Sequence, residues 1–266
     1  MQPTSANDLS DRQKPSNIRR RDILRVFWRS FFMQSVWNYR SLISVGFGMC
    51  LIPILRRLYD DAPSRSAFLS RHFKFFNAHP YMASYALGVS IHLEEAFATG
   101  DPDACNKLDR FKQRLISILG AMGDRLFWST IKPASLTFGV AGLVLFDDPL
   151  VKFIWLIMAF LVYNTPHLYL RYRGIWEGYR QGIQVYKLLN EQRYDLLYRL
   201  YYGLAVASII LVTAGLIIQF IQINEAAFAL FLLSATVAMV VFKSSRNFYL
   251  SVCISFVMAV GAGALL

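Results

Sequence analysis

After Tyr201 the chain carries only three charged residues, Glu225, Lys243 and Arg246. Between them run Leu200–Ile223, Ala226–Phe242 and Asn247–Leu266, each close to the roughly 20 apolar residues that a helix needs to cross a bilayer core about 30 Å thick. Only helices and closed barrels satisfy their backbone hydrogen bonds in lipid, and runs of this length select the helix. Across all 266 residues 55% are hydrophobic and 15% aromatic, outside the usual soluble range. The chain therefore reads as an integral membrane protein.

Charge follows the same logic. The 28 Lys and Arg against 17 Asp and Glu give a formal +11, and most of the basic residues precede Pro133, where they flank apolar runs. That is the pattern of cytoplasmic loops beside anionic headgroups, not the basic face of a nucleic-acid binder. Cys50, Cys105 and Cys253 are odd in number and far apart, which predicts neither a disulfide framework nor a zinc site. His72, His79 and His92 lack metal-ligand spacing, so no metal is expected. No Walker loop, dinucleotide fingerprint or nucleophile elbow is present, and no cofactor is expected.

Residues 1–20 are polar, with no apolar leader, and read as a disordered cytoplasmic tail. Over Asp22–Tyr39, the residues Leu24, Phe27, Trp28, Phe31, Phe32 and Trp37 recur at helical spacing opposite Asp22, Arg25 and Arg29, predicting an amphipathic helix at the membrane surface. Ser41–Leu55 is short, broken by Gly46, Gly48 and Pro53, and bounded by Arg40 and Arg56-Arg57. A re-entrant hairpin fits it better than a span. A helix over about Ser64–Asn77 follows, and then the most unusual stretch: Asn77-Ala78-His79-Pro80, a run of about 13 residues to Leu93, and the pair Glu94-Glu95. As a helix that run is roughly 20 Å long, too short to span. Leu115–Ile131, with Gly120, Gly123 and Asp124, predicts a second re-entrant segment. Beyond Pro133 come a short rising segment, Ala134–Phe146, a span over Leu150–Leu170, a cytoplasmic loop over Arg171–Arg199 and the three terminal runs. The fold class is an all-α polytopic membrane protein with an amphipathic N-terminal helix, short re-entrant hairpins and about five membrane-crossing segments. Its N-terminus is expected in the cytoplasm and its C-terminus outside.

Asn77, His79, Glu94, Glu95 and Asp124 are the substrate-binding candidates, because polar groups at membrane depth are costly and usually functional. Adjacent carboxylates on a helix point about 100° apart, so Glu94 and Glu95 make a poor acid–base pair on one atom. A hydroxyl acceptor and an ion-pair partner are the better roles, with a purely structural role for both as the alternative. Asn164 and His167, flanking Pro166, are expected to bond carbonyls freed at a kink.

Four stretches are similar, in order, to the IID membrane component of the mannose, fructose and sorbose class of bacterial phosphotransferase system. They are Phe27-Trp28-Arg29-Ser30 through Gln34–Tyr39 with Gly46-Phe47 and Pro53–Tyr59; Arg71-His72, Phe75–Tyr81, Leu87-Gly88 and Leu93-Glu94-Glu95; Gly123–Thr130 with Lys132-Pro133; and Tyr163-Asn164, Arg171-Tyr172, Gly174, Gly178-Tyr179 and Gly182. The resemblance covers about Asp22–Gly182, so the chain divides into the tail over 1–20, a IID-like region over 21–182 and C-terminal helices over 183–266. It implies a bacterial inner-membrane subunit that is not itself catalytic. The implied partners are a IIC membrane subunit, cytosolic IIB and IIA units that carry phosphate, a hexose-type sugar and membrane lipid, with IIC–IID pairs forming a larger oligomer. A membrane scaffold that keeps the fold without transport is the alternative.

Overall fold

The computed structural model describes residues 18–223 and 225–263. Most of the tail expected over 1–20 lies outside them. Among the described residues the structure is helical, without a named strand, and falls into two compact units. One runs to Ser135 and resumes over Ala159–Gly203; the other comprises Leu136–Met158 and the chain from Leu204 onward.

In the first unit, α1 (Arg20–Ser30) opens with the Asp22 carboxylate accepting the Arg19 N–H at 3.1 Å, a negative charge where the helix dipole favours one. It buries Ile23, Val26 and Ser30 and turns Trp28 outward, so the start of the amphipathic helix expected over Asp22–Tyr39 is present, but the helix ends at Ser30 and turns carry Phe31, Phe32 and Val36. The segment expected as a first hairpin is a pair of short helices, α2 (Ser44–Cys50) and α3 (Ile52–Leu58), meeting at Leu51. Then come α4 (Ala62–His72), capped by the Asp61 carboxylate on the Ser64 N–H at 2.8 Å, and α5 (Ala83–Ala98), the most deeply buried helix, with Tyr85, Leu87 and Ile91 fully enclosed.

The Leu115–Ile131 hairpin does not form. Instead α6 (Ala104–Gly123) runs straight into a π-helical segment, Asp124–Ile131, and then α7 (Lys132–Leu145). Pro133 brings no N–H and its ring crowds the carbonyl four residues back. A widened turn just upstream, where the Lys132 N–H reaches the Phe127 carbonyl, accommodates the proline.

Helix α8 (Pro149–Gln181, 33 residues) is about 50 Å long, and its C-terminal part belongs to the first unit. The loop expected over Arg171–Arg199 is thus mostly helix, continued by 3₁₀ turns Gly182–Leu188 and Glu191–Tyr194. Its order comes from packing on α5. A Cβ on Gly88 would lie 2.2 Å from the Ile175 carbonyl, and one on Gly178 would lie 2.4 Å from the Tyr85 carbonyl, so the two backbones touch through glycine as membrane helices do. At Pro166 the orphaned Val162 carbonyl is taken by the Tyr201 hydroxyl, while the Asn164 amide donates to the Phe160 carbonyl at 2.7 Å.

In the second unit the Trp155 indole N–H donates to the Phe138 carbonyl at 2.7 Å and its ring occupies the notch left by Gly142, while the Gln219 amide reaches the Val144 carbonyl. The helices here, with α9 (Asp195–Ile223), α10 (Glu225–Ser245) and α11 (Phe248–Gly263), leave large apolar residues such as Ile210, Phe231 and Phe256 exposed, as lipid-facing surfaces require. Among the described residues three stretches are long and apolar enough to cross a membrane, Pro149–Leu188, Gln192–Gln219 and Phe228–Ser245, with a shorter apolar helix at Phe248–Met258.

Candidate functional site

The five candidate residues fall in three places. Glu94 is 1% exposed on α5 and accepts four hydrogen bonds. Oε1 takes the Arg71 Nε–H at 3.0 Å and His72 Nε2–H at 2.9 Å; Oε2 takes Arg71 Nη2 and the Tyr59 hydroxyl, each at 2.8 Å. A carboxylate offers about four acceptor sites, and all are used. The clamp ties the end of α3 and the last turn of α4 to α5. Burial alone pushes the Glu94 carboxyl up, but the His72 and Arg71 contacts outweigh it and hold it at about 2. Burial pushes His72 below its ordinary value, and its Nδ1 has no partner among the described residues, which suits a neutral ring donating from Nε2. Lys112, also buried, rests over the Phe47 and Phe76 rings and donates to the Arg71 carbonyl at 3.3 Å; burial brings it down to about 8.

His79 lies elsewhere. It sits in the break before α5, pressed into a notch at the end of α6: a Cβ on Gly123 would come 2.1 Å from the His79 Cβ. Its ring stacks on Phe127 at 5.1 Å and meets the edges of Tyr81 and Trp128. The Tyr81 N–H points to His79 Nδ1 at 3.4 Å, leaving Nε2 as a buried donor without a partner among the described residues. Burial first, then Arg171 and His167, push His79 down to about 4, so the ring is neutral at physiological pH. Tyr81 is the hub of this cluster. Its ring tilts against His167 at 4.3 Å, its hydroxyl pairs with that of Tyr163 at 2.9 Å, and its face receives the Arg171 guanidinium at 5.1 Å. Arg171, 3% exposed, also covers the Phe31 ring at 4.7 Å and donates to the Ser30 hydroxyl at 3.0 Å and to the Ser30 carbonyl. It forms no ion pair among the described residues, and its Nε and His167 Nδ1 lack partners. Buried polar atoms left unpaired are costly and ask for an explanation.

Asn77 is exposed two residues before His79, and Asp124 is exposed directly after Gly123, so both flank the His79 notch along the chain. Glu95 stands apart, accepting from the Tyr179 hydroxyl at 2.8 Å on α8. Tyr81 and Arg171 escape a search for isolated polar motifs, because their sequence neighbours are ordinary and 82 to 141 residues separate the paired groups. The spacing Tyr163, His167, Arg171, on one helical face, was the available signal.

Comparison with known proteins agrees with this architecture. A family described as the PTS system mannose/fructose/sorbose family IID component matches residues 17–261. The mannose-specific EIID component of Escherichia coli K12 is 32% identical over 181 residues, 68% of this chain and 62% of that protein. The sorbose-specific EIID component of Lacticaseibacillus casei is 30% identical, over 70% of this chain and 62% of the relative. The chain therefore spans under two thirds of the length of these curated relatives. Among solved structures, the mannose transporter ManYZ in complex with microcin E492 is similar with a TM-score of 0.58 at 30% identity, covering 75% of this chain and 70% of that one. The chain belongs to the mannose/fructose/sorbose family of phosphotransferase-system IID components.

Proposed function

We propose that the chain works as the IID subunit of a sugar-translocating phosphotransferase complex. It pairs with a IIC membrane subunit and helps to bind and move a hexose-type sugar that the IIB unit phosphorylates, with IIA supplying the phosphate. The family match over 17–261 carries this reading. In it the chain provides transport structure and holds no phosphoryl group. The complex lies in the bacterial inner membrane as an assembly of IIC–IID pairs, with the N-terminus of this chain cytoplasmic and its C-terminus outside.

Within that role the ligand-facing group is the His79 notch with Asn77 and Asp124 beside it. Aromatic faces next to an unpaired imidazole donor suit a hydroxylated ring, and the break before α5 is the kind of interrupted segment that lines transporter sites. Glu94 has no acceptor site to spare and acts through the fold; Glu95 acts through Tyr179.

The test is uptake of labelled mannose, fructose and sorbose by cells that lack their own IID unit and express this chain with its IIC and IIB partners. One of the sugars enters in a phosphoenolpyruvate-dependent way, and His79→Ala reduces its entry while the membrane complex still purifies intact. An intact complex that admits no sugar overturns the proposal.

A further inference from the structure

The most exposed aromatic surface of the first unit faces away from the buried contacts that Ser30 and Phe31 make with Arg171. Helix α1 and the turn after it display Trp28 (65% exposed), Phe32 (71%) and Tyr39 (90%), together with Val36 and Trp37. The turn is built to do so. The Asn38 carbonyl oxygen of the side chain accepts the backbone N–H groups of Arg40 and Ser41 at 3.1 and 2.9 Å, Asn38 and Leu42 exchange backbone hydrogen bonds, and Leu42 is held at φ +54, where a side chain is strained. Trp37 and Tyr39 meet edge to face at 4.7 Å.

Between helix and turn opens a cavity of about 360 Å³, lined by Arg29, Phe32, Ser35, Val36, Gly46, Met49 and Cys50. Its walls are largely apolar, and Arg29 is its single charge. The guanidinium is tethered through Nη1 to the Met49 carbonyl at 3.2 Å and remains exposed, with Arg21, Arg25 and Arg40 also exposed nearby in sequence. An apolar slot, a cation at its lip and a surrounding belt of Trp and Tyr match one chemistry: an amphiphile with a negative head and a hydrocarbon tail at a membrane interface. A free phosphate or sugar phosphate would make no use of Phe32, Val36 and Met49.

We propose that this groove binds an anionic phospholipid, with one acyl chain in the slot and the phosphate on Arg29.

Native mass spectrometry of the full chain in mild detergent, titrated with phosphatidylglycerol or with phosphatidylcholine of the same chain length, tests this. The wild type retains phosphatidylglycerol in preference. Arg29→Gln weakens it about five-fold, the effect of one Arg beside an anionic headgroup, and erases the preference. Ser35→Trp, which fills the slot, abolishes retention of both lipids. Arg110→Gln removes the same charge from an exposed position on α6 and leaves retention unchanged. Unfolding midpoints of the variants, followed in parallel, stay at the wild-type value. Equal loss in Arg29→Gln and Arg110→Gln means general surface charge and overturns the site. Unchanged lipid retention in Arg29→Gln and Ser35→Trp, with loss of co-purification of a membrane partner, assigns the face to that protein and also overturns it.

Discussion

Glu94→Gln keeps the size and most of the hydrogen-bonding shape of the side chain but removes the charge that neutralises Arg71. The carboxylate is 1% exposed and the Arg71 side chain 15%, so the cation left behind has little access to water. A carboxyl held at about 2 instead of its ordinary 4.5 contributes on the order of 3 kcal/mol at neutral pH, and breaking a buried pair by removing one partner costs about 3–5 kcal/mol. For a body of this size each kcal/mol moves the unfolding midpoint by roughly 2–4 °C, so the variant should unfold about 6–20 °C lower. Scanning fluorimetry of the detergent-purified protein measures this. The double variant Arg71→Met/Glu94→Leu recovers part of the loss, giving a coupling energy of about 2–3 kcal/mol, and only part because Tyr59 and His72 then lose their acceptor. If Glu94→Gln unfolds within 2 °C of wild type yet loses sugar uptake, the carboxylate acts on ligand and the clamp argument is wrong.

Three other outcomes follow from the same contacts. Gly88→Ala forces a methyl into the Ile175 carbonyl and destabilises by about 1–3 kcal/mol or more, whereas Gly120→Ala, which meets nothing within 4 Å, stabilises by up to about 1 kcal/mol; thermal unfolding separates them. Stability falls with acid in two stages. Burial lowers the folded values of His72 and His79, so their contribution is complete above the ordinary histidine value of 6.5 and is lost as pH drops below it. The Glu94 contribution is complete above 4.5 and drains away toward about 2, as midpoints measured from pH 8 to 3 would register. Gly123→Ala displaces the His79 ring and should lower uptake more than it lowers the midpoint, which paired transport and unfolding assays would resolve.

Periodicity made the membrane class and the outward aromatic face of α1 legible, because burial in lipid or protein writes itself into 3.6-residue spacing. The pair Glu94-Glu95 was visible as unusual, but its meaning was not: the groups that occupy Glu94 arrive from 22 to 35 residues upstream. Gly120 and Gly123 looked like a bend. Glycine equally serves close packing, and only the position of His79 shows which need Gly123 meets. At Pro166, Asn164 does bond a backbone carbonyl, as its type suggested, yet the carbonyl the proline frees is served by Tyr201, and His167 stacks on Tyr81 instead. Helical spacing can show that Tyr163, His167 and Arg171 share a face, but not that Tyr81 meets it or that Tyr201 reaches the Val162 carbonyl.

The most direct test of the central claim is reconstitution. Liposomes carrying the IIC partner with this chain, supplied inside with phosphorylated IIB, are given labelled sugar outside. The account predicts that labelled sugar phosphate accumulates within the liposomes only when this chain is present. A complex that assembles fully, with phosphorylated IIB at hand, and yet transfers no label would contradict it.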